Sequence, residues 1–555
     1  MGGVVVAHTA VINPHPYTPQ YSQADPLVRP MGRNGSVASH HYLASEAGLE
    51  ILRKGGNAVD AAVATSAALG VVEPAMNGAA GNGNMLIFKA DEERTYSLDF
   101  SGRAPQGVRD AHPDDVYFSA RAQLVPGNVA GWLAALERFG TMDRATVFAP
   151  AIRYADEGQP VSPTLTYYVR RMLTQLQGAD SGVARIFAPG GRPPEPGEML
   201  RQPELAETYG TLVRDGVDSF YRGALARRIG VYVRDHAGWL TTDDLASYAA
   251  TWEEPLAIDY GDWRVMTPPP PCSGIQLLQT LKILALYDTG RWTAFSEDYL
   301  HTLVEAIKLC RHDRVFEGST SNRAHESEYF LSDAHIAQLR AKIDPSRAAA
   351  SDGDWYSSPH TTHFSVGDRD GNLVSSTQTL GAIFGSGVIV DGTGLILNGL
   401  LFLFDADPGS PNRLEPGKKI DDPMSPVIAR HPSGRTIAIG SPGGQGILQT
   451  NVQMFANIVH FGMSPQAAVQ SPRITSWGRR AFIEKFGADH DPRALAIEDR
   501  LPAAAKQALT ARGHALVSLG EWSHAVGAGA IVLRHANGVL EGGADPRRDG
   551  LAYAF

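Results

Sequence analysis

The stretch that decides the fold is Thr361-Thr362-His363-Phe364-Ser365-Val366-Gly367-Asp368. Polar and apolar side chains alternate along it. Phe364 and Val366 therefore share one face of a strand, and Thr361, His363 and Ser365 share the other. A turn cluster follows, Asp368-Arg369-Asp370-Gly371-Asn372, with Asp-Gly at its centre, and then a second strand from Leu373 to Leu380. With the turn centred on position 370, Thr361 and Thr379 are equidistant from it and are predicted to meet on one face of the hairpin. A threonine that opens a strand also has a chemical reading. If the bond before it were cut, its hydroxyl would be a nucleophile and its own α-amine, with an ordinary pKa near ~7.7, the base. The segment ahead of it, Ser351 to His360, reads as exposed and irregular.

Upstream, Ser36 to Ser39 reads as a strand and His41 to Lys54 as a helix stopped by Gly55-Gly56. Asn57 is a good N-cap with Asp60 three residues on. The run from Ala58 to Val72 is apolar on nearly all sides, which predicts a buried helix. Gly78 to Gly83 precedes a strand at Asn84 to Phe88. Its spacing fits neither a P-loop nor a dinucleotide fingerprint, so it is read as close backbone packing. A further strand, Thr95 to Phe100, ends at Ser101-Gly102-Arg103. From 130 to 345 the pattern is mainly helical, with a capping start at Thr241 to Leu245 and a rigid turn at Pro268 to Pro271. His301, His312 and Asp313 fall on different faces of a helix from His301 to Arg314, which favours a solvated face over a metal site. Strands at Gly394 to Leu397, Pro426 to Arg430, Thr436 to Gly440 and Ala530 to Arg534 alternate with helices near Gln445 to His460 and Pro502 to Arg512. The class is α+β.

The 555 residues are 43% hydrophobic, enough for a large core. There are 49 basic and 59 acidic residues, net −10, and no basic run, so nucleic acid is not an expected partner. Two cysteines far apart, Cys272 and Cys310, exclude a disulfide framework and read as small buried hydrophobes. No apolar run approaches the ~18 residues of a membrane span. The first twenty residues lack a charged region followed by an apolar core, so the expected location is cytoplasmic.

The hairpin resembles the start of the small subunit in the gamma-glutamyltranspeptidase family. The likeness extends through Gly55-Gly56-Asn57-Ala58-Val59-Asp60-Ala61-Ala62, Val125-Pro126-Gly127 with Ala130-Gly131, Phe220-Tyr221-Arg222-Gly223, and Pro269-Pro270-Pro271 with Ser273-Gly274. It continues through Phe384-Gly385-Ser386-Gly387, Met424-Ser425-Pro426, Gly440-Ser441-Pro442-Gly443-Gly444 and Asp545-Pro546-Arg547-Arg548. The resemblance implies the four-layer αββα sandwich of N-terminal-nucleophile hydrolases. It further implies an inactive precursor in which Thr361 attacks the His360 carbonyl. Residues 1–34 would be a loose leader, 35–360 the large subunit and 361–555 the small subunit, the two cleaved chains staying together in one fold. Thr361 is then the nucleophile, Thr379 its hydrogen-bond partner, and Gly443 and Gly444 the oxyanion hole. No metal or cofactor is expected.

The substrate pocket departs from the family pattern. Ser101 aligns with an arginine that binds the substrate carboxylate, leaving Arg103 as the nearby fork. Gly381 aligns with an asparagine, and Leu400 and Leu403 with the groups that read the α-amine. The paired serines align with Asp422 and Pro423, and the lid loop, Pro408 to Lys419, is short. The expected substrate-binding residues are Arg103 and Asp422. The expected partner is a small amide whose acyl part carries a carboxylate without an α-amine, glutaryl-type or oxamate-like, with water or an amine as acceptor. An ordinary gamma-glutamyltranspeptidase acting on glutathione is the first alternative, and a non-catalytic scaffold of the family the second.

Overall fold

The computed structural model describes residues 29–108, 116–178, 182–315, 317–318, 324–351, 360–405, 407–476 and 491–555. Most of the stretch expected to be irregular before Thr361, residues 352–359, lies outside them. In chain order the strands of the main body begin with β1 (Met31–Gly32), β2 (Gly35–Ser39), β3 (Asn82–Lys89), β4 (Arg94–Phe100), β5 (Thr251–Glu253), β6 (Leu256–Tyr260) and β7 (Trp263–Thr267). They continue with β8 (Thr362–Asp368), β9 (Leu373–Thr379), β10 (Val427–Arg430), β11 (Thr436–Gly440), β12 (Ala530–Arg534), β13 (Leu540–Ala544) and β14 (Leu551–Ala554). One seven-stranded sheet has the order β14-β2-β8-β9-β3-β4-β5. The other has β1-β13-β12-β11-β10-β7-β6.

Alternation along each strand assigns every side chain to one of three layers. Leu86, Phe88, Leu373, Ile428, Ala438 and Val532 fill the space between the sheets. The outer face of the first sheet, with Met85, Ile87, Phe364, Val366 and Val374, packs on α1 (Tyr42–Arg53), α2 (Ala58–Val72) and α3 (Asn128–Phe139). The outer face of the second, with Val427, Ala429, Ile437 and Ile531, packs on α4 (Gly274–Leu284), α5 (Glu297–Val315) and α6 (Ile447–Val459). The result is the expected αββα order. Every residue of α2 is buried, and its start is closed by the Asn57–Asp60 capping box.

The hairpin has the predicted register. Thr362 pairs with Gln378 and Val366 with Val374, centred on position 370. Because helices cover one side of this sheet and the second sheet covers the other, both faces of β8 and β9 are buried. The polar face meets the second sheet. Ser365 Oγ donates to the Ala530 carbonyl and Ser375 Oγ to the Ile439 carbonyl, both at 3.1 Å.

Four expectations need correction. Residues 29–34, expected to belong to a loose leader, take part in the fold: Arg29 pairs with Glu541 at 2.6 Å and β1 pairs with β13. The span 130–345 contains strands as well as helices among its described residues: β5 to β7 and a short ribbon of Gln159–Pro160 with Met199–Leu200. The strand expected at Gly394 to Leu397 forms only a two-residue ribbon with Ile389–Val390, outside both sheets. Of the three residues read as a solvated face of α5, His301 and Asp313 are buried and His312 is exposed. Charged groups of the helix are paired inside the protein: Lys308 with Glu305 at 2.8 Å, Asp313 with His335 at 2.6 Å and Arg314 with Asp421 at 2.7 Å.

Candidate active site

Thr361 sits immediately before β8, still joined to His360. Its φ is +151°, a conformation that a β-branched residue adopts only under constraint. Two groups hold it. Its Oγ1 donates to Thr379 Oγ1 at 3.2 Å, the pairing expected from the hairpin. Thr379 Oγ1 also accepts from the Gly381 amide at 2.8 Å, which fixes the acceptor. Behind Thr361, Arg548 Nη1 donates to the Thr361 carbonyl at 2.6 Å and pairs with Glu73 at 2.9 Å. Burial raises the Glu73 carboxyl above the ordinary range, with the nearby Arg548 charge opposing that shift. Sequence reasoning matched Arg548 within the Asp545 to Arg548 motif but gave it no role, and did not single out Glu73.

Thr361 opens on a cavity of about 20 Å³, room for about one water molecule. His360, Thr379, Gly381, Leu400, Leu403, Asp422, Pro423, Met424, Gly444 and Gln445 complete its lining. Gly443 and Gly444 have φ of +132° and +56°, values that suit glycine and that turn the chain from β11 into α6. Their amides stand at the start of a helical turn, outside the helical ladder and at the favourable end of its dipole. Burial holds the His360 imidazole well below its usual pKa, and lowers that of His363 to about 3. Both rings are therefore neutral at pH 7.

Asp422 is the polar feature of the pocket. Its Oδ1 accepts from the Met424 amide at 2.8 Å. Its Oδ2 is buried without a hydrogen-bond partner among the described residues, and so is Gln445 Oε1. The Asp422 backbone is fixed, since Ser273 N and Oγ donate to its carbonyl at 2.9 and 2.7 Å. Burial, with a smaller contribution from Asp99, pushes its carboxyl up to about 7.

Leu400 and Leu403 form an apolar wall of the cavity. Arg103, expected to anchor a carboxylate, is exposed and is absent from the lining. Its backbone bridges to Lys419 and its carbonyl accepts from Val125 N at 2.9 Å. No cationic side chain lines the cavity among the described residues. Elsewhere, His301, Glu305 and His514 bring ligand-type atoms within 4.8 Å of one another. Each is already engaged: His301 with His514 at 2.9 Å and with the Asp344 carbonyl at 2.8 Å, and Glu305 with Lys308.

Two facing sheets between helical layers, with a threonine at the head of a central strand, define the class as the sandwich of N-terminal-nucleophile hydrolases. Comparison with known proteins narrows this. The family model for gamma-glutamyltranspeptidase matches residues 44–555. The chain is 34% identical over 550 residues to the acylase ACY 1 proenzyme of Pseudomonas sp. (strain SE83), covering 94% of each. It is 31% identical over 591 residues to the glutathione hydrolase proenzyme of Bacillus subtilis (strain 168), covering 100% of this chain and 96% of that one. The crystal structure of cephalosporin acylase from Bacillus halodurans is similar with a TM-score of 0.85 at 32% identity, covering 96% of this chain and 99% of that chain. The chain belongs to the gamma-glutamyltranspeptidase family, and it is a hydrolase of that family.

Proposed function

We propose that this protein is an autoprocessing amidohydrolase with Thr361 as its nucleophile, acting on a small amide whose acyl part carries a carboxylate and no α-amine. The observation that carries the reading is the 3.2 Å bond from Thr361 to Thr379 at a cavity shared with His360, Gly444 and the two leucines. In maturation, Thr361 Oγ attacks the His360 carbonyl carbon and the peptide C–N bond breaks, leaving an ester. Water then cleaves the ester, so that His360 keeps a carboxylate and Thr361 gains a free amine. In turnover, that amine takes the hydroxyl proton as Oγ attacks the substrate carbonyl. The Gly443 and Gly444 amides stabilise the developing oxyanion, the leaving amine takes the proton, and water or an amine releases the acyl group.

Leu400 and Leu403 support an acyl chain without an ammonium, because a buried ammonium there would lack a partner. Asp422 in its neutral form is suited to donate to the acyl carboxylate. Arg103, at its exposed position, is assigned to a rim role towards the same charge. One observation favours the rival reading, a glutathione hydrolase: the unpartnered Asp422 Oδ2 is also able to accept from an ammonium. A matched pair of amides, glutaryl and gamma-glutamyl on one leaving amine, differs only in that ammonium, so the ratio of kcat/KM reads its cost. The expected ratio favours glutaryl. A clear preference for gamma-glutamyl would make the rival reading the better one.

A further inference from the structure

The strand beside β9 places an unassigned group next to the site. Asn82, at the start of β3, pairs in register with Thr379. It is 1% exposed, and neither its Nδ2 nor its Oδ1 meets a hydrogen-bond partner among the described residues. A buried carboxamide with both ends unpaired calls for an explanation, since such groups are normally satisfied. Alternation fixes its face. Leu86, four residues on, lies between the sheets, whereas Met85 and Ile87 face the helices. Asn82 therefore belongs to the face that carries Thr379, and it lies two strand spacings, ~10 Å, from the backbone of Thr361.

The surroundings are built to keep it there. Gly127 N and Asn128 N both donate to the Gly81 carbonyl at 2.9 Å, and Asn128 Nδ2 donates to the Gly78 carbonyl at 2.8 Å. At Gly102, a Cβ would stand 2.8 Å from Asn82 Nδ2, so the bare backbone leaves room for the amide. A group at this remove suits the far end of an acyl chain whose carbonyl is at Thr361. In a five-carbon diacid the distal carboxylate carbon stands about 5 Å from the acyl carbon, by ordinary C–C bond lengths. A carboxamide offers two N–H donors to such an oxygen without bringing a charge of its own.

We propose that Asn82 is a specificity-determining residue whose Nδ2 donates to the carboxylate at the distal end of the acyl group. The inference rests on the reading that this group carries a carboxylate. The test uses glutaryl and pentanoyl amides of one chromogenic amine, which differ in that carboxylate. Wild type, Asn82→Ala and the isosteric Asn82→Asp are each first shown by intact mass to consist of two fragments. Wild type favours the glutaryl amide. Both variants lower the glutaryl-to-pentanoyl ratio of kcat/KM by roughly tenfold or more, the range of a hydrogen bond to a charged group. Asn82→Asp lowers it further, because like charges meet. An unchanged ratio in both variants overturns the proposal, as does an equal loss on both substrates. A wild type with no preference for glutaryl overturns the acyl reading itself, and the inference with it, before any variant is compared.

Discussion

At the scale of single residues, the proposed function rests its chemistry on Thr361 and its selectivity on Asp422. A β-branched residue at φ +151° stores strain of about 1–3 kcal/mol, and cutting the bond to His360 frees that torsion. In the proposed maturation, cleavage is thereby coupled to relaxation of Thr361. Asp422 gives a pH signature. Its carboxyl is raised to about 7, so it is neutral below that pH and ionised above it. For a carboxylate-bearing acyl group, kcat/KM should fall as pH rises through about 7, because the ionised Asp422 repels the substrate. Asp422→Asn should remove that fall and leave the acidic limb set by the α-amine. The same sign governs stability: the contribution of neutral Asp422 is complete below the unfolded carboxyl pKa of ~3.9 and is lost as pH rises through about 7. A pH profile whose alkaline limb persists in Asp422→Asn would assign the limb to another group.

At the scale of elements, the hairpin positions Thr361 against Thr379 and is also the most legible part of the chain. Strict alternation with an Asp-Gly turn fixes both register and faces, which is why the Thr361–Thr379 pair was readable. What alternation does not reveal is that the polar face would be buried against the second sheet. That depends on β11 and β12, which lie far along the chain. The charges of α5 suggested solvent for a related reason. Their partners Asp421 and His335 are remote in sequence, so an internally neutralised helix looks the same as a wet one. Arg103 and Asn82 show the limit at the site. Exposure at the end of β4 and isolation of a carboxamide at the start of β3 are both consequences of loop paths. Thr379→Val tests the hairpin's share in catalysis. Valine suits a strand but leaves the Gly381 amide without its acceptor, so melting temperature should fall modestly and fragment sizes hold, while kcat/KM drops roughly tenfold for the lost hydrogen bond to Thr361. A variant with full activity would reduce Thr379 to a packing residue.

At the scale of the whole molecule, the two fragments are expected to stay joined because each sheet mixes strands from both. β8 and β9 lie between β2 and β3 in one, and β10 pairs with β7 in the other. Beside the site, a buried charge network fixes the segment carrying Arg548. Asp545 pairs with Arg473 at 2.6 Å and with Arg547 at 3.0 Å, Arg547 pairs with Glu498 at 2.5 Å, and Asp545 Oδ2 accepts from the Gly529 amide at 2.8 Å. Asp545→Ala would leave buried guanidinium groups short of a partner, and should destabilise the protein by about 3–5 kcal/mol in denaturant titration. Despite burial, the two arginines hold the Asp545 carboxyl below its usual range, so its contribution is present above the unfolded pKa and is lost as pH falls through the lower folded value. A change within the error of the titration would show that the network is dispensable.

The measurement that bears most directly on Thr361 as an N-terminal nucleophile is intact mass spectrometry of the purified protein, before and after a slow acyl substrate. Two fragments are predicted, one of them residues 361–555 with Thr361 at its N-terminus. After the substrate, that fragment alone gains the mass of the acyl group, on Thr361. Thr361→Ala is predicted to remain one uncut chain that takes up no acyl group. An uncut wild type that is fully active, or an acyl group found on Cys272 or Cys310, would contradict the account.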